Sequence, residues 1–141
     1  MKLARRSGPD KQSLVRRAAL LAWAGPTTLA GLGLAVLAGP GARWRRGPGG
    51  LEVSGGWLPA LLRWAPIPGG AAAVALGHAI LARDQAALDR HREHELVHVR
   101  QAERWGPLFL PAYLLAGAWQ LVRGRHPYHD NPFEAEAWRA G

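Results

Sequence analysis

Residues 86–105, AALDRHREHELVHVRQAERW, decide the reading of this chain. No Gly or Pro interrupts the stretch, and its Ala, Leu, Arg and Glu favour helix. Inside it stands His94-Glu95-Leu96-Val97-His98. On a helix, His94 and His98 lie one turn apart on the same face. Two imidazoles so placed can reach one zinc ion at about 2.0–2.1 Å each. Glu95 follows the first of them and sits beside the metal without binding it. A carboxylate there can take a proton from zinc-bound water. His91 and Gln101 fall on the same face and are candidates to orient the ligands. The competing reading is a solvated, salt-bridged helix surface.

Composition bounds the rest. With 141 residues the chain supports one domain. It has no Cys, which excludes disulfides, Cys-zinc sites and thiol catalysis. The net charge of +8 raises the question of nucleic acid. All of that excess lies in residues 1–46, where Asp10 is the one acid; residues 47–141 balance nine Arg against nine Asp or Glu. The part that would fold is neutral, so nucleic acid is not an expected partner.

The basic excess flanks Ala18 to Ala42, which is uncharged throughout. Twenty-five such residues exceed the roughly 20 that span a bilayer as a helix. Arg16, Arg17, Trp23, Arg43, Trp44, Arg45 and Arg46 read as interfacial anchors. The expected organisation is therefore a basic tail over 1–17, a transmembrane anchor over 18–42, a linker over 43–50 and a domain over 51–141. A cleaved signal peptide and a Gly/Ala-rich core segment are the rival readings of 18–42. The charge flanks lean towards a cytoplasmic N-terminus and an extracytoplasmic domain behind a single pass.

Within 51–141, Leu51-Glu52-Val53-Ser54 followed by Gly55-Gly56 reads as strand and turn. Val74 to Ala82 alternates and contains Gly77, which favours strand over helix. Trp105 to Val122 is a second apolar run; Pro107 and Pro111 break its start and leave about eleven residues of helix, Ala112 to Val122, too short to span. It is read as a core, interfacial or re-entrant segment. Asn131-Pro132 marks a helix start, with Asn at the N-cap and Pro in the first position. Glu134 then falls in the first turn and Glu136 on another face. Either acid could supply the third ligand that such a zinc site needs, or both could simply favour a helix N-terminus. His126, His129 and Asp130 are further candidates.

His-Glu-x-x-His-x-x-Gln, followed by Asn-Pro-Phe-Glu-x-Glu-Ala, resembles the gluzincins, specifically the small minigluzincin type. The resemblance covers about residues 51–141. It implies a minimal zincin-like α+β domain binding one zinc ion through His94, His98 and Glu134, with Glu95 as general base. It implies a peptide or protein substrate lying along an edge strand just before the motif helix. Related membrane metallopeptidases place an Asp where this chain has Trp138, so support from that residue is absent or comes from elsewhere. Tyr113, His126, Tyr128 and His129 are candidates to stabilise an oxyanion. His78, on the expected strand, could approach the cleft. The expected function is a membrane-anchored zinc metallopeptidase; the alternative is a zinc-binding membrane protein without catalysis.

Overall fold

The computed structural model describes residues 10–140. Residues 1–9 of the basic tail lie outside the described residues. The architecture is α+β. Its helices are α1 (Lys11–Trp23), α2 (Gly25–Leu37), α3 (Leu58–Leu62), α4 (Gln85–Trp105), α5 (Phe109–Val122) and α6 (Pro132–Trp138). Its strands are β1 (Ala42–Gly47), β2 (Gly50–Gly55), β3 (Ala73–Leu76) and β4 (Ala79–Ala82), in sheet order β1-β2-β4-β3. β1–β2 and β3–β4 pair antiparallel, and β2–β4 pair parallel.

Strand alternation gives the sheet two faces. Val53 and Leu81 pack with Ala35 of α2 and with Leu58 and Leu62 of α3. Ile80 and Ala82 pack with Leu88 and Val99 of α4. The motif helix therefore lies across one face, and α2 across the other. α4 begins where Asp84 caps it, its carboxylate accepting from the Ala87 N–H, and ends at Gly106.

Four expectations change. Residues 18–42 do not form one helix. α1 and α2 meet at Ala24 with a 65° bend, and among the described residues no single helix is long and apolar enough to cross a membrane, although the bent pair would pass such a test together. Gly25-Pro26 breaks the helix, because Pro26 has no N–H to donate and suits only a first turn. α2 also packs on the sheet: a Cβ at Gly31 would stand 2.9 Å from the Cβ atoms of Ala79 and Leu76.

Residues 43–50 are not a linker. Arg43 to Gly47 belong to β1, in register with β2 from Ala42↔Gly55 to Gly47↔Gly50. The turn at 47–50 closes this hairpin, and the arginines make β1 a charged edge, the usual guard against edge-to-edge pairing. The expected single strand over 74–82 is a hairpin. Gly77 (φ 59°) sits in its turn, where a Cβ would also run into Thr28 of α2. Finally, α5 starts at Phe109, three residues earlier than expected, because Pro111 falls in its first turn and breaks nothing.

One buried ion pair ties the sheet to the motif helix. Glu52 of β2 is fully buried. Its two carboxylate oxygens accept from Arg92 Nε at 2.9 Å and Arg92 Nη2 at 3.1 Å, and Arg45 Nε lies 3.5 Å away. Removing one partner strands a charge in the interior. Arg92→Leu is expected to lower unfolding free energy by about 3–5 kcal/mol. The double variant Glu52→Leu/Arg92→Leu should regain most of that loss, as measured by urea unfolding followed by circular dichroism.

Candidate metal centre

α4 buries His94, Glu95 and His98 on its inner face. Opposite them, α6 presents Glu134. The local sequence fixes α6: the Asn131 side chain accepts from the Phe133 N–H and Pro132 opens the helix, so Glu134 falls in the first turn. Asn131 Nδ2 also donates to the Tyr113 carbonyl at 3.0 Å, which ties α6 to α5.

The three candidate ligands converge. His94 Nε2 lies 3.0 Å from Glu134 Oε2, His98 Nε2 lies 3.3 Å from Glu134 Oε1, and the two Nε2 atoms are 3.2 Å apart. Donors about 2.1 Å from a common tetrahedral ion stand about 3.4 Å from one another. The observed separations therefore match three corners of one coordination sphere. Among the described residues, this is the one group of three or more His, Asp or Glu side chains so arranged.

Polar satisfaction points the same way. All three ligands are buried, and Glu134 Oε2 has no hydrogen-bond partner among the described residues. Burial raises the Glu134 pKa, but the imidazoles of His94 and His98, 3.0 and 3.3 Å away, with a 2.6 Å hydrogen bond from the Tyr113 hydroxyl, outweigh it and hold the carboxyl at about 2. For His98, burial favours the neutral ring, yet Glu134 and Glu95 more than compensate and push it up. Burial pushes Glu95 up, against the pull of both histidines and of a hydrogen bond from the Ala75 backbone on β3. Two carboxylates and two imidazoles in so dry a place call for positive charge, and a divalent ion would supply it.

Gln101 determines how His98 presents itself. Its amide Nε2 donates to the Phe133 carbonyl at 3.0 Å and to Glu136 Oε2 at 2.9 Å. Its Oε1 must then face His98 Nδ1, which lies 2.8 Å away and so carries the proton. The Nε2 lone pair of His98 is left for a metal. Glu136 is thus no ligand. It anchors Gln101 and is itself held by Arg104 at 2.6 Å. From the sequence Glu136 reads as a rival to Glu134 for the metal or as an acid favouring the helix N-terminus; its place two residues on, on another helical face, is the sign of a different role.

Trp138 packs over His94, ring centroids 4.4 Å apart. His94 Nδ1 is buried and has no partner among the described residues. The side chain at this position therefore covers the first histidine without hydrogen-bonding it.

Two cavities flank the triad along β3, the free edge of the sheet. One, about 230 Å³, is bordered by His91, His126, Tyr128, His129 and Trp138. The other, about 170 Å³, is bordered by Leu76, Phe109, Leu110, Tyr113 and Leu114. His94, Glu95 and Tyr128 border both. Burial, then the charges of Glu134 and Glu95, push the Tyr128 phenol above its ordinary range, so it remains an O–H donor. His126 Nδ1 accepts from the Tyr128 and His129 backbone N–H groups, and Asp130 accepts from the His126 N–H. His78 is elsewhere: in the β3–β4 turn, 2.9 Å from Glu103 and beside Thr28.

Compared with models of known families, with curated proteins and with solved structures, the chain matches none.

Gln101→Ala is expected to weaken metal affinity about 10–100-fold, and Glu136→Ala to weaken it less, in a chelator-competition titration. A depressed carboxyl stabilises the fold above its unfolded pKa and loses that contribution as pH falls through its folded one. For Glu134 that window runs from about 4.5 down to about 2. In the metal-free protein, Glu134→Gln should flatten this acid limb in thermal melts recorded across it.

Proposed function

We propose that this protein is a membrane-attached zinc metallopeptidase. The observation that supports it most is the joint burial of three metal donors with a fourth group, Glu95, which is not one of them. A structural zinc site is closed by four protein ligands, whereas a catalytic one keeps a position open for water. Here three side chains converge, cavities lie on either side, and a carboxylate stands ready beside them. The likeness of the two motifs to minigluzincins agrees with this reading.

His94, His98 and Glu134 would hold the ion. Bound there, zinc supplies Lewis acidity towards a carbonyl and lowers the pKa of water. Glu95 takes a proton from the attacking water as its oxygen bonds to the peptide carbon. The carbon–nitrogen bond then breaks, and Glu95 passes the proton to the leaving amine. The raised pKa of Glu95 suits a group that must hold that proton between the two events. Tyr128, bordering both cavities, offers its O–H to the carbonyl oxygen as charge develops on it. An extended peptide laid along β3 would pass between the cavities, with Glu95 beneath its scissile bond.

Metal analysis by mass spectrometry of the detergent-purified chain provides the test. Wild type should carry about one zinc per chain. His94→Ala and Glu134→Ala should lose it, and Glu136→Ala should keep it. Glu95→Gln should keep zinc and lose cleavage of a peptide library by at least about 100-fold. An active Glu95→Gln protein would sink the mechanism. A zinc-loaded wild type that cleaves nothing would leave a zinc-binding membrane protein.

A further inference from the structure

We infer that α2 and α5 together form a lipid-contacting layer that seats the protein in one leaflet of an anionic membrane without crossing it. The inference does not rest on the hydrolytic reading.

Both helices are built inside out. On α2 the buried positions are Thr27, Gly31 and Ala35, while Leu29, Leu34, Val36 and Leu37 are exposed, Val36 to 70%. On α5 the buried positions are Phe109, Gly117 and Gln120, while Leu114, Leu115, Trp119, Leu121 and Val122 are exposed, Val122 to 79%. Neither helix contains a charged residue. A helix surrounded by water turns its polar side outwards. Apart from Phe109, these two turn small or polar groups towards the protein and large apolar groups away from it, an order that suits hydrocarbon.

The two helices are bridged by Leu76 and a 3-10 turn. Leu76 packs against Gly31 of α2 and borders the same cavity as Phe109, Leu110 and Leu114 of α5. The 3-10 turn Gly106–Leu108 leads into α5, packs against Trp23 at the start of the α2 bend, and exposes Leu108.

Charge complementarity selects lipid. Arg16, Arg17, Arg43 and Arg46 flank α2, Arg123 and Arg125 follow α5, and all six are exposed. Asp10 is the one acid before residue 47. Exposed arginines next to both helices in the sequence suit anionic headgroups, and the exposed Trp23, Trp105 and Trp119 are side chains of the kind that settle at an interface. A second copy of the chain offers little to neutralise them: Asp89, Glu103 and Glu136 are already paired with Arg92, His78 and Arg104, Asp84 and Asp130 accept backbone N–H groups, and among the described acids after residue 46 Glu93 alone is exposed without such a partner.

Length and packing speak against a crossing: α1 and α2 together have the length and composition of a span but are bent by 65°. The 13 residues of α2 and 14 of α5 reach about 20 Å each, against a hydrocarbon core of about 30 Å. Because α2 lies against β4, a crossing would also carry the sheet and its Glu52–Arg92 pair into lipid.

The chain has no Cys, so single cysteines can be placed cleanly. The full chain would carry an environment-sensitive fluorophore at Leu29→Cys, Val36→Cys, Leu115→Cys, Leu121→Cys or, as a control, Glu93→Cys. It would be added to phosphatidylcholine vesicles with and without phosphatidylglycerol. All four helix labels should shift to the blue and be quenched by spin-labelled lipid, and Glu93→Cys should do neither. Omitting phosphatidylglycerol should weaken vesicle binding at least about tenfold. Ser13→Cys and Arg43→Cys should both react with a membrane-impermeant thiol reagent added outside. Aqueous α5 labels beside quenched α2 labels would overturn the inference in favour of one anchoring helix. Opposite sidedness of Ser13→Cys and Arg43→Cys would overturn it in favour of a crossing. Concentration-dependent label burial without lipid quenching would overturn it in favour of an interface between copies. None of these readouts uses zinc or hydrolysis, so each fails independently of the peptidase reading.

Discussion

The constraint on which this fold turns is the burial of His94, Glu95 and His98 on one face of α4. Three polar side chains at that depth cost far more than the helix gains by forming, unless other groups meet them. Glu134 meets the imidazoles from α6, and Gln101 meets His98 from within α4. The rest of the chain delivers those partners. Asn131 starts α6 at the right residue and binds it to α5. Gly117 leaves room for that junction, since a Cβ there would stand 3.0 Å from the Pro127 carbonyl oxygen. Aromatic packing among Phe109, Tyr113 and Phe133 fills the space between the two helices.

The support beneath the ligands is uneven. His98 belongs to a chain of hydrogen bonds that runs through Gln101 to Glu136 and Arg104. Each link fixes the direction of the next, because an amide with two acceptors at its nitrogen can offer only its oxygen to the imidazole. His94 has an indole against its ring and nothing at Nδ1 among the described residues. One histidine is held by directional bonds and the other by shape. Hydrogen bonding sets a tautomer and packing does not, so the proton on His94 is set by whatever occupies its Nε2 side.

What was legible in the sequence follows the range of the interactions involved. α4 was legible because its determinants are local: helix formers throughout, Asp84 at one end and Gly106 at the other. α6 was legible because Asn131-Pro132 is a start signal contained in two residues. The bend at Ala24 was half legible. Gly25-Pro26 is a break signal in a soluble helix, but membrane helices tolerate the pair, so the sequence alone does not say which applies. β1 was hidden, because an Arg-rich strand with a Gly/Pro-rich turn looks like a linker until β2 pairs with it. The β3–β4 hairpin was hidden because Gly77-His78 is a turn without the residues that announce one, and its shape depends on contact with Thr28. The Glu52–Arg92 pair joins residues forty apart, which neither periodicity nor a short motif can signal.

The same logic explains why two helices can be apolar on the outside. A sheet of four short strands has a small inner face to cover, and α4 must devote much of its own to polar side chains. α2 covers the other face with Thr27, Gly31 and Ala35, residues small enough for its backbone to approach β4 closely. α5 gives its inner positions to the triad and to the α6 junction, through Tyr113 and Gly117. Close approach and polar partnership use up the inner positions of both helices, and their large apolar side chains are left facing outwards. In water that arrangement exposes the surface whose burial ordinarily stabilises a small domain. The proposed membrane seat would remove the contradiction, since lipid would cover what the sheet is too small to bury. On that proposal the bilayer would take the place of the second hydrophobic layer that a larger domain would build from its own chain.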